Sequence, residues 1–156
     1  MKNVLSFAIN AAIVATTATI VVADTATSQN DRECLALNIY HEARGEDTLG
    51  QIAVAQVTMN RVDHPHFPSN VCDVVWQKGQ FSWTNDGRSD RATDKKAWDV
   101  AHEIANDVYY GMEKDPTDGA TFYHGDYIKT PNWADYMEAS VQIGSHIFYT
   151  WDGNWN

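Results

Sequence analysis

The run Cys34-Leu35-Ala36-Leu37-Asn38-Ile39-Tyr40-His41-Glu42-Ala43-Arg44-Gly45-Glu46 carries both the first clear structural signal of the chain and its densest cluster of reactive groups. Leu35, Ile39 and Ala43 fall on one helical stripe, and Gly45 suits the end of that helix. Asn30 with Glu33 resembles a capping box and marks the expected start. A second box, Thr48 with Gln51, opens a helix whose apolar positions Ile52, Ala55, Val57 and Val62 continue until His64-Pro65 stops them. A short helix is expected over Val71–Trp76. The clearest amphipathic helix covers Asp94–Tyr110, with Ala97, Trp98, Ala101, Ile104, Ala105 and Val108 inward and Gly111 as its stop. Between these two lies a loop-like stretch, Lys78–Ala92, interrupted by Phe81-Ser82-Trp83. After Pro116, β-branched and aromatic residues gather in Ala120–His124 and Val141–Trp151, with Gly144-Ser145 as a turn. The fold class is therefore α+β, a helical lobe followed by a small antiparallel sheet in a single domain.

Upstream, Val4–Ala23 is an uncharged apolar run preceded by Lys2 and followed by small residues. It reads as a targeting segment: residues 1–27 are expected to be a signal peptide or a releasable membrane anchor, and residues 28–156 the folded domain that follows it. The run is long for a signal-peptide core, yet Asn10, Thr16, Thr17 and Thr19 make it weakly apolar for a permanent span. Asp24–Asp31 reads as a polar linker after it. Any membrane contact is expected through this segment alone, with the domain exported to the periplasm or cell envelope and acting as a monomer.

The formal charge of −10 belongs to the rest of the chain, because Lys2 and Asp24 cancel. Such a surface repels nucleic acid and anionic lipid. A polymeric ligand would be held by aromatic stacking instead, which the six Trp and seven Tyr can supply. Export also changes the reading of Cys34 and Cys72. In an oxidising compartment one disulfide between them is expected, with two free buried thiols the alternative that sequence leaves open.

Among the reactive groups, Glu42 has Tyr40 and Ala43 as apolar neighbours. A carboxyl partly withdrawn from water keeps its proton to higher pH, as an acid that protonates a glycosidic oxygen must. Taken alone, a helical Glu is more often a solvated surface residue. Glu46 lies four residues on, but Gly45 intervenes. Its place just before the next helix favours a structural role, with Arg44 nearby. His41-Glu42 begins a zinc-protease pattern, but His-Glu-x-x-His needs a second histidine where Gly45 stands. His64, His66, His102, His124 and His146 show no helical ligand spacing. Cys34 would have to escape oxidation to act as a nucleophile.

The run from Cys34 to Glu46, Gly50–Gln56 and Asn60-Arg61-Val62 together resemble the catalytic domain of SleB-type cell-wall hydrolases, which include spore-cortex-lytic enzymes. The similarity continues in order through Phe67-Pro68, Val74-Val75, Gln80-Phe81-Ser82-Trp83, Gly119-Ala120, Tyr123-His124, Pro131-Asn132-Trp133 and Gly144–Tyr149. The resemblance implies a lysozyme-like fold and lytic transglycosylase action on peptidoglycan. The bond cut would be the β-1,4 link between N-acetylmuramic acid and N-acetylglucosamine, with Glu42 as the catalytic acid and base and neither metal nor cofactor. It further implies substrate-binding roles for Phe81, Ser82, Trp83, Tyr123, His124, Trp133 and His146. The pair Cys34 and Cys72 matches proteobacterial and phage members rather than spore enzymes. Two other readings are kept: a zinc amidase or peptidase, which chelators would inhibit, and a wall-binding module without turnover.

Overall fold

The computed structural model describes residues 17–154, with side chains from Thr25 onward. In chain order, α1 (Thr17–Ala43), α2 (Thr48–Asp63), α3 (Val71–Val75) and α4 (Lys95–Tyr109) are followed by strands β1 (Phe122–Gly125), β2 (Glu138–Ile143) and β3 (His146–Thr150). Short 3-10 turns occupy Ser82–Asn85 and Asn132–Tyr136. The strands form one antiparallel sheet in the order β1-β3-β2. The hairpin expected around Gly144-Ser145 is the β2–β3 pair, with Ile143 opposite His146.

Helix α2 is the centre of the molecule. Its residues from Gly50 to Thr58 are all buried, Gln51, Gln56 and Thr58 included, so it is enclosed all round rather than presenting a solvent face. One side meets α1, α3 and α4 through Leu35, Ile39, Ile52, Ala55, Val71, Val75 and Ile104. The other meets the sheet through Val54, Val57, Ile143 and Phe148. Removing Val57 down to Ala would cost roughly 1–2.5 kcal/mol by lost burial and the cavity left behind. Helix α4 is the amphipathic element, burying Ala101, Ile104, Ala105 and Val108 and stopping just before Gly111.

Two expected helix starts are corrected. The first helix does not begin at Asn30: α1 runs through Asp24–Asp31, the stretch expected to be a linker. The Ser28 hydroxyl donates back to the Thr25 carbonyl inside the helix. Asn30 turns its amide toward Cys72 Sγ, 3.2 Å away, instead of capping. Asp31 accepts from the Cys72 amide, and Arg32 donates to Asn106, so neighbouring helices anchor this segment. The second helix is capped by Asp47, not Thr48. The Asp47 carboxylate accepts from the Gly50 amide at 2.8 Å, while the Gln51 side chain donates to the Glu46 carbonyl.

Cys34 and Cys72 form a disulfide that ties α3 to α1. The expected targeting run lies largely outside the described residues. Among the described residues no helix is long and apolar enough to cross a membrane.

Candidate active site

The last turn of α1 delivers His41 and Glu42 to the floor of a cleft of about 480 Å³ between the helical lobe and the sheet. Phe81, Ser82 and Trp83 supply one wall, and Tyr123, His124, Trp133 and His146 the other. The structure thus gathers on one cleft Glu42 and every residue expected to bind substrate, from segments up to 104 positions apart in the chain.

Glu42 is half-buried, and its Oε2 accepts a 3.0 Å hydrogen bond from the Tyr123 hydroxyl. Burial raises the Glu42 pKa above the ordinary carboxylic value; the Tyr123 bond and the nearby charges of His41 and Arg61 oppose this and lose. Tyr123, packed at the seam of both apolar clusters, has its own pKa pushed well above the ordinary phenol value by burial and by the Glu42 charge. It therefore remains a hydrogen-bond donor. Glu42 is the only carboxylic acid among the described residues lining the cleft.

Several wall residues are held by specific partners. Trp83 donates its indole N–H to Asn38 Oδ1, and the buried Asn38 donates in turn to Thr58. The Trp83 ring stacks on His41 at 4.4 Å, and His41 Nε2 donates to the Asp90 carbonyl. His124 donates from Nδ1 to the Gly125 carbonyl, which leaves Nε2 to accept from the Tyr149 hydroxyl. Trp133 sits edge-on to His124 and Tyr149. Phe81 and Trp83 are almost fully buried, so each is a core residue that shows one edge to the cleft, whereas Ser82 is exposed.

Glu46 does not line this cleft. Its carboxylate takes a short hydrogen bond from the Ser145 hydroxyl and a second from the Ser145 amide, and His146 Nδ1 lies 3.9 Å away. These bonds hold its pKa below the ordinary carboxylate value. Gly144 is required here, because at φ +56° a Cβ would collide with Glu46 Oε2. Glu46 thus pins the β2–β3 turn to the α1–α2 junction, beside His146. Burial lowers the His146 pKa. Arg44 turns instead to Tyr40, donating to its carbonyl and lying over its ring.

Sequence reading assigned no role to Arg61, and this is the main residue it missed. Arg61 lines the cleft at 4% exposure, donates from Nε to the Thr121 carbonyl at 2.7 Å, and lies over the rings of Phe67, Phe81 and Phe122. Burial lowers its pKa to about 10, still high enough to keep the charge at neutral pH. A guanidinium four residues beyond Val57, on the apolar run of α2, was the available clue. Tyr127 and Ile128 at the outer lip were also missed. Gly125 makes room for the Tyr127 ring, which a Cβ there would strike. Among the described residues no group of three His, Cys, Asp or Glu side chains converges as a metal site would require.

Fold and cleft together define an α+β domain with one half-buried carboxyl in an aromatic-walled groove. The chain belongs to the Cell Wall Hydrolase family, whose model matches residues 45–149. Glu42 lies just ahead of that span. The chain is 36% identical to the spore cortex-lytic enzyme of Halalkalibacterium halodurans over 121 residues, covering 78% of this chain and 35% of that one. It is 34% identical to the spore cortex-lytic enzyme of Bacillus subtilis, covering 78% of this chain and 38% of that one. The chain thus spans well under half the length of these curated relatives. Among solved structures, it resembles the catalytic domain of the Bacillus cereus SleB protein, with a TM-score of 0.63 and 33% identity over 78% of this chain and 91% of that one. The catalytic domain of the germination-specific lytic transglycosylase SleB from Bacillus anthracis gives a TM-score of 0.64 at 33% identity, over 78% and 95% of the two chains. The helical lobe and three-stranded sheet are therefore the architecture of the SleB catalytic domain.

Proposed function

We propose that this chain cleaves the glycan strand of peptidoglycan as a lytic transglycosylase, with Glu42 as both acid and base. The observation that carries the reading is the lone carboxyl of the cleft, protonated more readily than an ordinary Glu because it is partly withdrawn from water. Glu42 would give its proton to the glycosidic oxygen as the bond to the muramyl C1 breaks. The resulting carboxylate is stabilised by the Tyr123 hydroxyl and the buried Arg61 cation. It then takes the proton of the same sugar's 6-hydroxyl, whose oxygen bonds to C1 and closes a 1,6-anhydro ring. Glu42 ends protonated and no water is consumed. Hydrolysis in either stereochemical mode ordinarily calls on a second carboxyl across the bond, and Glu46, which is bound to Ser145, does not line the cleft.

The aromatic walls suit a sugar polymer, whose ring faces stack on side chains such as Trp133 and Tyr127. The Cys34–Cys72 disulfide supports work in an oxidising compartment outside the cytoplasm. The N-terminal run is the proposed means of export, whether as a cleaved signal peptide or as a releasable anchor.

Mass spectrometry of digested wall tests the chemistry. Fragments ending in 1,6-anhydromuramic acid are expected, and ordinary reducing ends would replace transglycosylation by hydrolysis. Glu42→Gln keeps the shape but not the proton, and should lower turnover at least about 1,000-fold. A folded variant that kept a tenth of the activity would remove Glu42 from its role.

A further inference from the structure

Beyond the stacked rings of His41 and Trp83 lies a second pocket, of about 260 Å³, which shares both residues with the Glu42 cleft. Arg44, Arg88 and Arg91 are among its lining residues, all three exposed at its rim to solvent. The chain has only 11 lysines and arginines and a net charge of −10, so three arginines in one small pocket depart strongly from the surrounding field. Two carboxylates also line it. Asp86 accepts from the Arg88 amide and so shapes the loop, and Asp90 offers its carbonyl to His41. Three cations against two anions leave the pocket positive.

The loop that bears Arg88 and Arg91 is tied down at its end, where the Tyr40 hydroxyl accepts from the amides of Thr93 and Asp94. Arg44 is held over the Tyr40 ring at 4.9 Å. Arg44 is thus fixed in place and the backbone that carries Arg88 and Arg91 is tied at one end, and guanidinium forks match carboxylates in shape as well as charge. The polymer assigned to the cleft is itself anionic. Each muramyl ring carries a lactyl-linked peptide with free carboxylates, and an acidic protein would repel it. A muramyl ring bound with its C1 at Glu42 would carry that branch on the same ring, and His41, which adjoins Glu42 in the chain, lines both pockets.

We propose that this arginine pocket is a subsite for the carboxylate-bearing stem peptide of the strand cut at Glu42. The proposal rests on the function assigned above to the cleft, and it adds a preference for strands that still bear their peptides.

The test uses the full chain and two probes, intact sacculi and sacculi stripped of peptide by an amidase. Co-sedimentation in the Glu42→Gln background measures binding, and wild-type turnover is followed in parallel. Arg88→Ala/Arg91→Ala should weaken binding to intact sacculi roughly five-fold more than binding to stripped sacculi, as expected for two partly screened ion pairs. Arg88→Lys/Arg91→Lys should recover part of that loss, and about 0.5 M salt should erase the wild type's preference for intact material. Equal losses on both probes, no loss on intact sacculi, or a preference that survives salt would overturn the subsite. If the wild type cuts neither probe but arginine-dependent binding persists, the cleavage reading fails and the subsite stands. If it cuts both while binding ignores the arginines, the subsite alone fails.

Discussion

Breaking the Cys34–Cys72 bridge is the perturbation whose size follows most directly from the structure. The two cysteines are 38 positions apart, and the loop they close contains the whole of α2. For that loop the chain-entropy relation gives about 13 cal/mol/K, or about 4 kcal/mol at 25 °C. Divided by the unfolding entropy usual for a chain of this size, that becomes a fall in Tm of roughly 12 °C. The cost should reach the cleft as well. Cys34 lies on α1 ahead of Glu42, and α3 leads directly into Phe81 and Trp83, so the bridge fixes the distance between the floor and one wall. The assay is calorimetry of the oxidised protein, the reduced protein and the Cys34→Ser/Cys72→Ser variant, with turnover measured below all three transitions. Reduced and serine forms should melt together, well below the oxidised form. A shift under about 3 °C would show that the bridge adds little to what α1 and α3 already do by packing.

Three further expectations concern the carboxylates. Glu42→Gln should raise stability at neutral pH. The Glu42 pKa is elevated in the fold, so its ionisation penalty is absent below the unfolded value and complete above the folded one; the gain in Tm should vanish in acid, and a gain independent of pH would contradict this. Tyr123→Phe removes a donor to the carboxylate, so the alkaline limb of the pH–rate profile, where the catalytic acid loses its proton, should move to higher pH; an unmoved or lowered limb would mean that Glu42 does not set it. Glu46→Gln should cost about 2 kcal/mol at neutral pH by weakening two hydrogen bonds to a charged acceptor. Because the Glu46 pKa is depressed in the fold, its contribution is present above the unfolded value and is lost as pH falls through the folded one, so wild type and variant should converge in acid denaturation.

The amino-acid sequence by itself determined the element types and their order. The stripe Leu35, Ile39, Ala43, the amphipathic α4 and the turn at Gly144-Ser145 are local patterns, and local patterns survive being read without a partner. The catalytic candidate was legible for a related reason, since Glu42 sits among apolar neighbours within one helical turn and in a run that resembles a known family. Helix starts were less legible. Asn30 and Thr48 both have the chemistry of a cap, and the choice fell elsewhere because Cys72 and Asn106 hold the N-terminal part of α1 and Asp47 offers a better acceptor. Only the tertiary structure decided what depends on separation in the chain. Tyr123 reaches Glu42 across 81 positions and Ser145 reaches Glu46 across 99, and no periodicity in either segment encodes the other. The burial of α2 on every side, and with it the dry position of Arg61, exists only once the sheet closes over the face that the helices leave open. The pKa values of Glu42 and Glu46 divide for the same reason: the two residues are near neighbours in sequence, but packing buries one at the cleft floor and gives the other to the Ser145 turn.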